Sequence, residues 1–68
     1  MDIPNDDSKK IYKTVCEMIG IAVLHLDERK ETSAQENIAV TLKEMLDKSH
    51  SDLFLQQCIR VAIRLMTD

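Results

Sequence analysis

Residues that interrupt helices are almost missing from this 68-residue sequence, which has one proline, Pro4, and one glycine, Gly20. Turns and loops depend on these two residue types, so a chain with so few of them is predicted to be all-α. Aromatic residues are equally scarce, since Tyr12 and Phe54 are the only two. The core is therefore predicted to be aliphatic and rich in methionine.

The sequence also has few of the side chains that bind metals. Its two cysteines and two histidines do not follow zinc-ligand spacing, and an iron–sulfur cluster needs more cysteines. No metal and no cofactor is therefore predicted. Cys16 and Cys58 could be reactive thiolates or a redox pair, but both fall among apolar residues. We interpret them as small buried hydrophobes.

Two further absences concern the cellular setting. The formal net charge of −3 argues against binding nucleic acid through phosphate neutralisation. The N-terminus is acidic, unlike a secretory signal, and the longest mostly apolar run, Met18 to Leu26, is far shorter than the roughly 20 residues that span a bilayer. We therefore expect a soluble cytoplasmic protein with reduced cysteines, without a membrane or nucleic-acid partner.

The spacing of the apolar residues predicts three helices joined by short turns. A flexible tail is expected at residues 1–6, and residues 7–68 are expected to form a single helical domain. The three helices are predicted at about 7–30, 34–48 and 52–66.

Polar residues at the two turns support these boundaries. Ser33 and Glu36 have the spacing of a capping box, which would begin the second helix. Ser49 or Ser51 can cap the third helix. In the second helix, Glu44 and Lys48 are spaced for an ion pair.

The first two predicted helices each have one apolar face. That of the second helix comprises Ala34, Ile38, Leu42, Met45 and Leu46. That of the first comprises Ile11, Tyr12, Val15, Cys16, Ile19, Ala22, Val23 and Leu26. Ile21 and Leu24 lie outside this face, among charged residues, which indicates a second buried contact.

The third predicted helix is apolar nearly all round. Its polar residues form one narrow stripe of Gln56, Gln57, Arg60 and Arg64. Because a 68-residue chain cannot wrap one of its own helices on most sides, we predict a homodimer, which also compensates for a small core. Gly20 is interpreted as a point of close approach. The predicted interface comprises Gly20, Ile21, Leu24, Phe54, Cys58, Val61 and Leu65.

Three polar side chains are candidates for chemistry. His25, at the edge of the first apolar face, could act as a general base or a pH switch, although a structural or interfacial role is the simpler interpretation. Arg60 and Arg64 could bind phosphates, acidic substrates or carboxylates of a partner. The simpler interpretation is that their stripe is the solvent face of the third helix.

The segment YKTVCEMIGIAVLHL, residues 12–26, resembles the opening of the small enterobacterial fumarase D family. The likeness rests on Tyr12, Lys13, Cys16, Gly20, Val23 and Leu24 at matching spacings. The resemblance implies reversible hydration of fumarate to malate. In this chain such a site could form only at a dimer interface, with His25, Arg60 and Arg64 as its catalytic residues.

A second resemblance is to the biofilm-development and two-component connector family. The similar features are the Gly-x-Ala-Val segment from Gly20 to Val23, the pair Asn37 and Ile38, and a C-terminal helix with arginines. This resemblance implies a small helical homodimer that regulates other proteins by binding them. Because that suits the apolar excess, we predict a non-enzymatic interaction module, with the fumarate hydratase as the alternative.

Overall fold

The computed structural model describes residues 6–67, which form three α-helices. Their bounds are Asp6–Glu28 for α1, Gln35–Lys48 for α2 and Leu53–Thr67 for α3. The prediction of an all-α chain with three helices is confirmed, and every predicted boundary agrees within two residues. The expected flexible tail lies outside the described residues, apart from Asp6, which begins α1.

The three helices share one core, and each helix contacts both of the others. Methionines rather than aromatic rings fill its edges, as Met18, Met45 and Met66 pack against the buried residues. The prediction of an aliphatic core is therefore confirmed, whereas these methionines lie at its partly buried edge rather than inside it. The buried apolar side chains are Val15, Ala22 and Leu26 from α1, Ile38, Ala39 and Leu42 from α2, and Cys58, Ile59 and Ala62 from α3.

The end of α1 is a Schellman turn built on a residue other than glycine. Lys30 has a positive φ of 60°, its N–H donates to the carbonyl of Asp27 at 3.0 Å, and the N–H of Glu31 donates to Leu26 at 2.9 Å. The turn ends the helix at Glu28, two residues before the predicted boundary. It then directs the chain into the short connection before α2.

The predicted capping box at the start of α2 is wrong. The N-cap residue is Ala34, which has no side chain that can cap the helix. Asn37 fixes the connection instead, because its side-chain amide donates to both the carbonyl and the hydroxyl oxygen of Thr32 at 3.0 Å. The hydroxyl residue that fixes this turn is therefore Thr32 rather than Ser33. Its oxygens accept hydrogen bonds from Asn37, which lies in the first turn of α2.

The cap of α3 also differs from the prediction. Asp52 is the N-cap residue, since its Oδ1 accepts a hydrogen bond from the backbone N–H of Leu55 at 3.0 Å. The hydroxyl of Ser49 instead donates to the carbonyl of Met45 at the end of α2. The Gln56 side-chain amide donates to the carbonyl of Ser49 and joins the two helix ends.

The N-terminal half of α1 lies beside the C-terminal half of α3. Residues 8–15 of α1 and residues 61–65 of α3 line the same groove. The C-terminal end of α1 is joined to α2 by an ion pair, in which Arg29 lies 3.2 Å from Glu44. Among residues 6–67, no helix has both the length and the apolarity needed to cross a bilayer.

Candidate interaction surface

Six of the seven residues predicted at the dimer interface lie on the surface of the chain. They fall into two separate groups, Gly20, Ile21 and Leu24 on α1 and Phe54, Val61 and Leu65 on α3. The seventh, Cys58, is wrong as an interface residue. It is completely buried in the core of the single chain, so it has no surface to offer a partner.

The first group belongs to an open groove of about 790 Å³ on the outer side of α1. We call this surface the α1 outer face. Leu24 is 63% exposed and Ile21 is 38% exposed, so the groove is apolar but uncovered. It is lined by Glu17, Met18, Gly20, Ile21, Val23 and Leu24.

Gly20 is one of the residues that line the α1 outer face. A Cβ atom added there would have nothing within 4 Å, so neither α2 nor α3 approaches this position. A glycine inside a helix costs about 1 kcal/mol relative to alanine. Within the described chain, no close packing requires a glycine at this position.

One charged residue, Glu17, lines the α1 outer face, and Lys13 and Asp27 lie beyond its two ends along α1. Lys13 and Asp27 lie seven residues before and after Gly20, and seven residues return a helix to within about 20° of its starting direction. Both side chains are exposed, and within residues 6–67 neither forms an ion pair. Arg29, a cation close to Asp27 in sequence, is directed to Glu44.

A second apolar groove, of about 230 Å³, lies between α1 and α3. We call it the α1–α3 groove. Tyr12 is 73% exposed and Leu65 is 56% exposed at its edges. The prediction that Tyr12 lies on the core face is wrong, because the core covers a narrower arc of α1, around Val15 and Ala22. The lining residues are Ser8, Ile11, Tyr12, Val15, Val61 and Leu65.

The three residues proposed for catalysis do not come together in the single chain. His25 is exposed, and its Nδ1 lies 3.6 Å from Glu28 Oε1. Val15 and Val61 line one groove between α1 and α3. His25 is ten residues beyond Val15 and therefore lies about 15 Å along α1 from that groove. Arg60 and Arg64 are exposed on α3 next to Val61, as expected for a solvent face.

The two cysteines have different environments. Cys16 is exposed, so the prediction that it is buried is wrong; it lies one position beyond the buried Val15 and faces away from the core. Cys58 is buried as predicted. Burial, followed by the nearby Asp52 carboxylate, raises the pKa of the Cys58 thiol, which keeps it protonated and unreactive. In the described part of the chain, no three His, Cys, Asp or Glu side chains are grouped to hold a metal.

Two polar contacts were not predicted. Thr41 is buried, and its hydroxyl donates to the carbonyl of Asn37 at 2.9 Å, a local bond that threonines in helices commonly make. Glu44 pairs with Arg29 across the connection rather than with Lys48 within α2. No helical spacing indicates that pair, because its partners are 15 residues apart in the chain.

No family model, no curated protein and no solved structure matches this chain. The resemblances to the fumarase D family and to the connector family therefore stay predictions.

Proposed function

We propose that this chain is a small non-enzymatic protein of the cytoplasm that forms a homodimer and binds other proteins. The observation that carries the proposal is that folding leaves two apolar grooves uncovered, the α1 outer face and the α1–α3 groove. Contiguous exposed apolar surface is typical of sites where proteins associate. Two such surfaces on one small domain suit a dimer that also holds a partner.

The energetics of the α1 outer face favour association. Complete burial of a leucine or isoleucine side chain stabilises by about 1.5–3 kcal/mol. Covering the exposed 63% of Leu24 and 38% of Ile21 in both protomers therefore contributes roughly 3–6 kcal/mol. That is similar to the roughly 3–5 kcal/mol that a single core of this size supplies. It also offsets much of the entropy lost on association, which costs at least about 4 kcal/mol.

The arrangement of the polar residues supports binding more than catalysis. Hydration of a double bond requires a base and a cationic clamp that converge in a site from which water is excluded. Here both grooves are open and predominantly apolar, and His25 lines neither of them; it lies about 15 Å along α1 from Val15 in the α1–α3 groove. A shared active site would need the second protomer to bring these groups together.

Light scattering at micromolar concentration tests the homodimer. We expect about twice the chain mass of 7.8 kDa. At least one of the substitutions Leu24→Glu and Leu65→Glu should reduce the mass to that of one chain. Val40→Glu is the matched control, because Val40 is 55% exposed but lines neither groove. A wild-type chain that stays monomeric and folds cooperatively contradicts the proposal.

The enzymatic alternative has a direct assay. Purified protein is incubated with fumarate or malate, and the absorbance of the fumarate double bond is followed. We expect no turnover. Turnover that disappears in Arg60→Ala would show that the chain is an enzyme and would reject the non-enzymatic proposal.

A further inference from the structure

We infer that the second copy docks antiparallel on the α1 outer face, with Gly20 at the two-fold axis and Lys13 beside the partner subunit's Asp27. This inference rests on the proposed homodimer and specifies its geometry. It commits to a second copy because Lys13 and Asp27, at equal distances on either side of Gly20, are complementary to each other when a second α1 runs in the reverse direction. The charged residue that lines the groove, Glu17, then lies opposite the partner subunit's Val23.

The argument for an antiparallel pair comes from Lys13 and Asp27. They are equally distant from Gly20 and on the same side of α1, and neither has an ion-pair partner within the described chain. Reversing the direction of a second α1 about Gly20 brings each lysine next to an aspartate. A parallel pair would instead place lysine against lysine and aspartate against aspartate, which is unfavourable.

The argument for Gly20 at the axis comes from the open space beside it. Nothing in the chain lies within 4 Å of a Cβ at this position, so a second helix can approach the backbone there. Small residues at a crossing point let two helices pack closely. Leu24 and Ile21, next to the glycine, would then be covered by the partner helix.

The proposed axis fixes which residues oppose each other. In an antiparallel pair centred on Gly20, Cys16 lies opposite the partner subunit's Leu24, because each is four residues from the axis. The two Cys16 side chains are then eight residues apart along the helices, or about 12 Å. That distance is too long for a disulfide, whose Cα atoms are usually about 4.4–6.8 Å apart.

Disulfide cross-linking tests this register directly. Leu24→Cys should form an oxidised dimer on a non-reducing gel through Cys16 of one protomer and the new thiol of the other. The double variant Leu24→Cys with Cys16→Ser should not cross-link, and neither should the wild type. Cross-linking of either control would indicate a parallel pair and overturn the inference. A Leu24→Cys dimer that light scattering detects but oxidation does not cross-link would also overturn it.

Charge reversal gives a second test that does not alter Leu24. Lys13→Asp and Asp27→Lys should each weaken the dimer by roughly tenfold, since like charges then meet across the axis. The double variant should recover the wild-type dissociation constant. Lys43→Asp, an exposed lysine on α2 outside both grooves, is the control. Additive losses in the double variant would reject the pairing, whereas a monomeric wild type would reject the homodimer itself.

Discussion

Replacing Lys30 by glycine should stabilise the fold. Lys30 has a φ of 60° at the position of the Schellman turn that glycine usually occupies. A residue with a side chain in this left-handed conformation is disfavoured by roughly 1–2 kcal/mol, because its Cβ comes close to the backbone. The Lys30 side chain forms no ion pair within residues 6–67 that the substitution would remove.

The expected gain is smaller than the relief of strain. Glycine also increases the entropy of the unfolded chain, which costs about 0.5–1 kcal/mol. The difference predicts a net stabilisation of roughly 0.5–1 kcal/mol for Lys30→Gly. Because a single small domain has little stability in total, this change is large enough to measure.

Urea denaturation followed by circular dichroism provides the assay, at a fixed protein concentration because association affects apparent stability. Lys30→Ala is the matched control, since it removes the same charge and side chain but keeps the Cβ. The glycine variant should unfold at a higher urea concentration than both the wild type and the alanine variant. Equal midpoints for glycine and alanine would refute the explanation from backbone strain.

Two further predictions concern α3. Asp52→Ala removes the N-cap hydrogen bond from Leu55 and should lower the free energy of unfolding in urea by about 1 kcal/mol. Asp52→Asn should retain most of that stability, because asparagine also caps helices. Equal losses of stability in the two variants would exclude the capping role. Because the pKa of Cys58 is raised in the folded chain, the unfolded chain loses the thiol proton at a lower pH. The contribution of Cys58 to the free energy of unfolding is therefore complete below the ordinary thiol pKa of about 9.0 and declines as the pH rises above it. Cys58→Ala should show a smaller decline between neutral and alkaline pH, and an unchanged decline would assign it to other groups.

The helices and their approximate bounds could be predicted from the sequence because the apolar spacing is regular, but the contacts that end and cap the helices could not. The sequence signal that ends a helix is usually glycine, and α1 ends at a lysine in the left-handed conformation. Ser33 and Glu36 satisfied the spacing of a capping box, yet Thr32 and Asn37 form the bonds that fix this turn. Which of several adjacent polar residues binds the backbone depends on the path of the loop.

The candidate surfaces could be predicted only in part, for a related reason. A helical wheel separates apolar from polar faces, but it does not give the width of the arc that neighbouring helices cover. In this small bundle the covered arc excludes Tyr12 and Cys16, which the wheel assigned to the core. On α3, the arc covered by the other helices includes Cys58, which the sequence pattern places at the dimer interface.

The same geometry divides the predicted interface in two. Gly20 is two residues from the fully buried Ala22, and at about 100° per residue the two positions face nearly opposite sides of α1. Because α3 packs on the core side, its exposed Val61 and Leu65 cannot lie in one flat contact with Gly20 and Leu24. A dimer closed through the α1 outer face would therefore leave the α1–α3 groove uncovered, so one small chain could pair with its own copy and still hold a different protein.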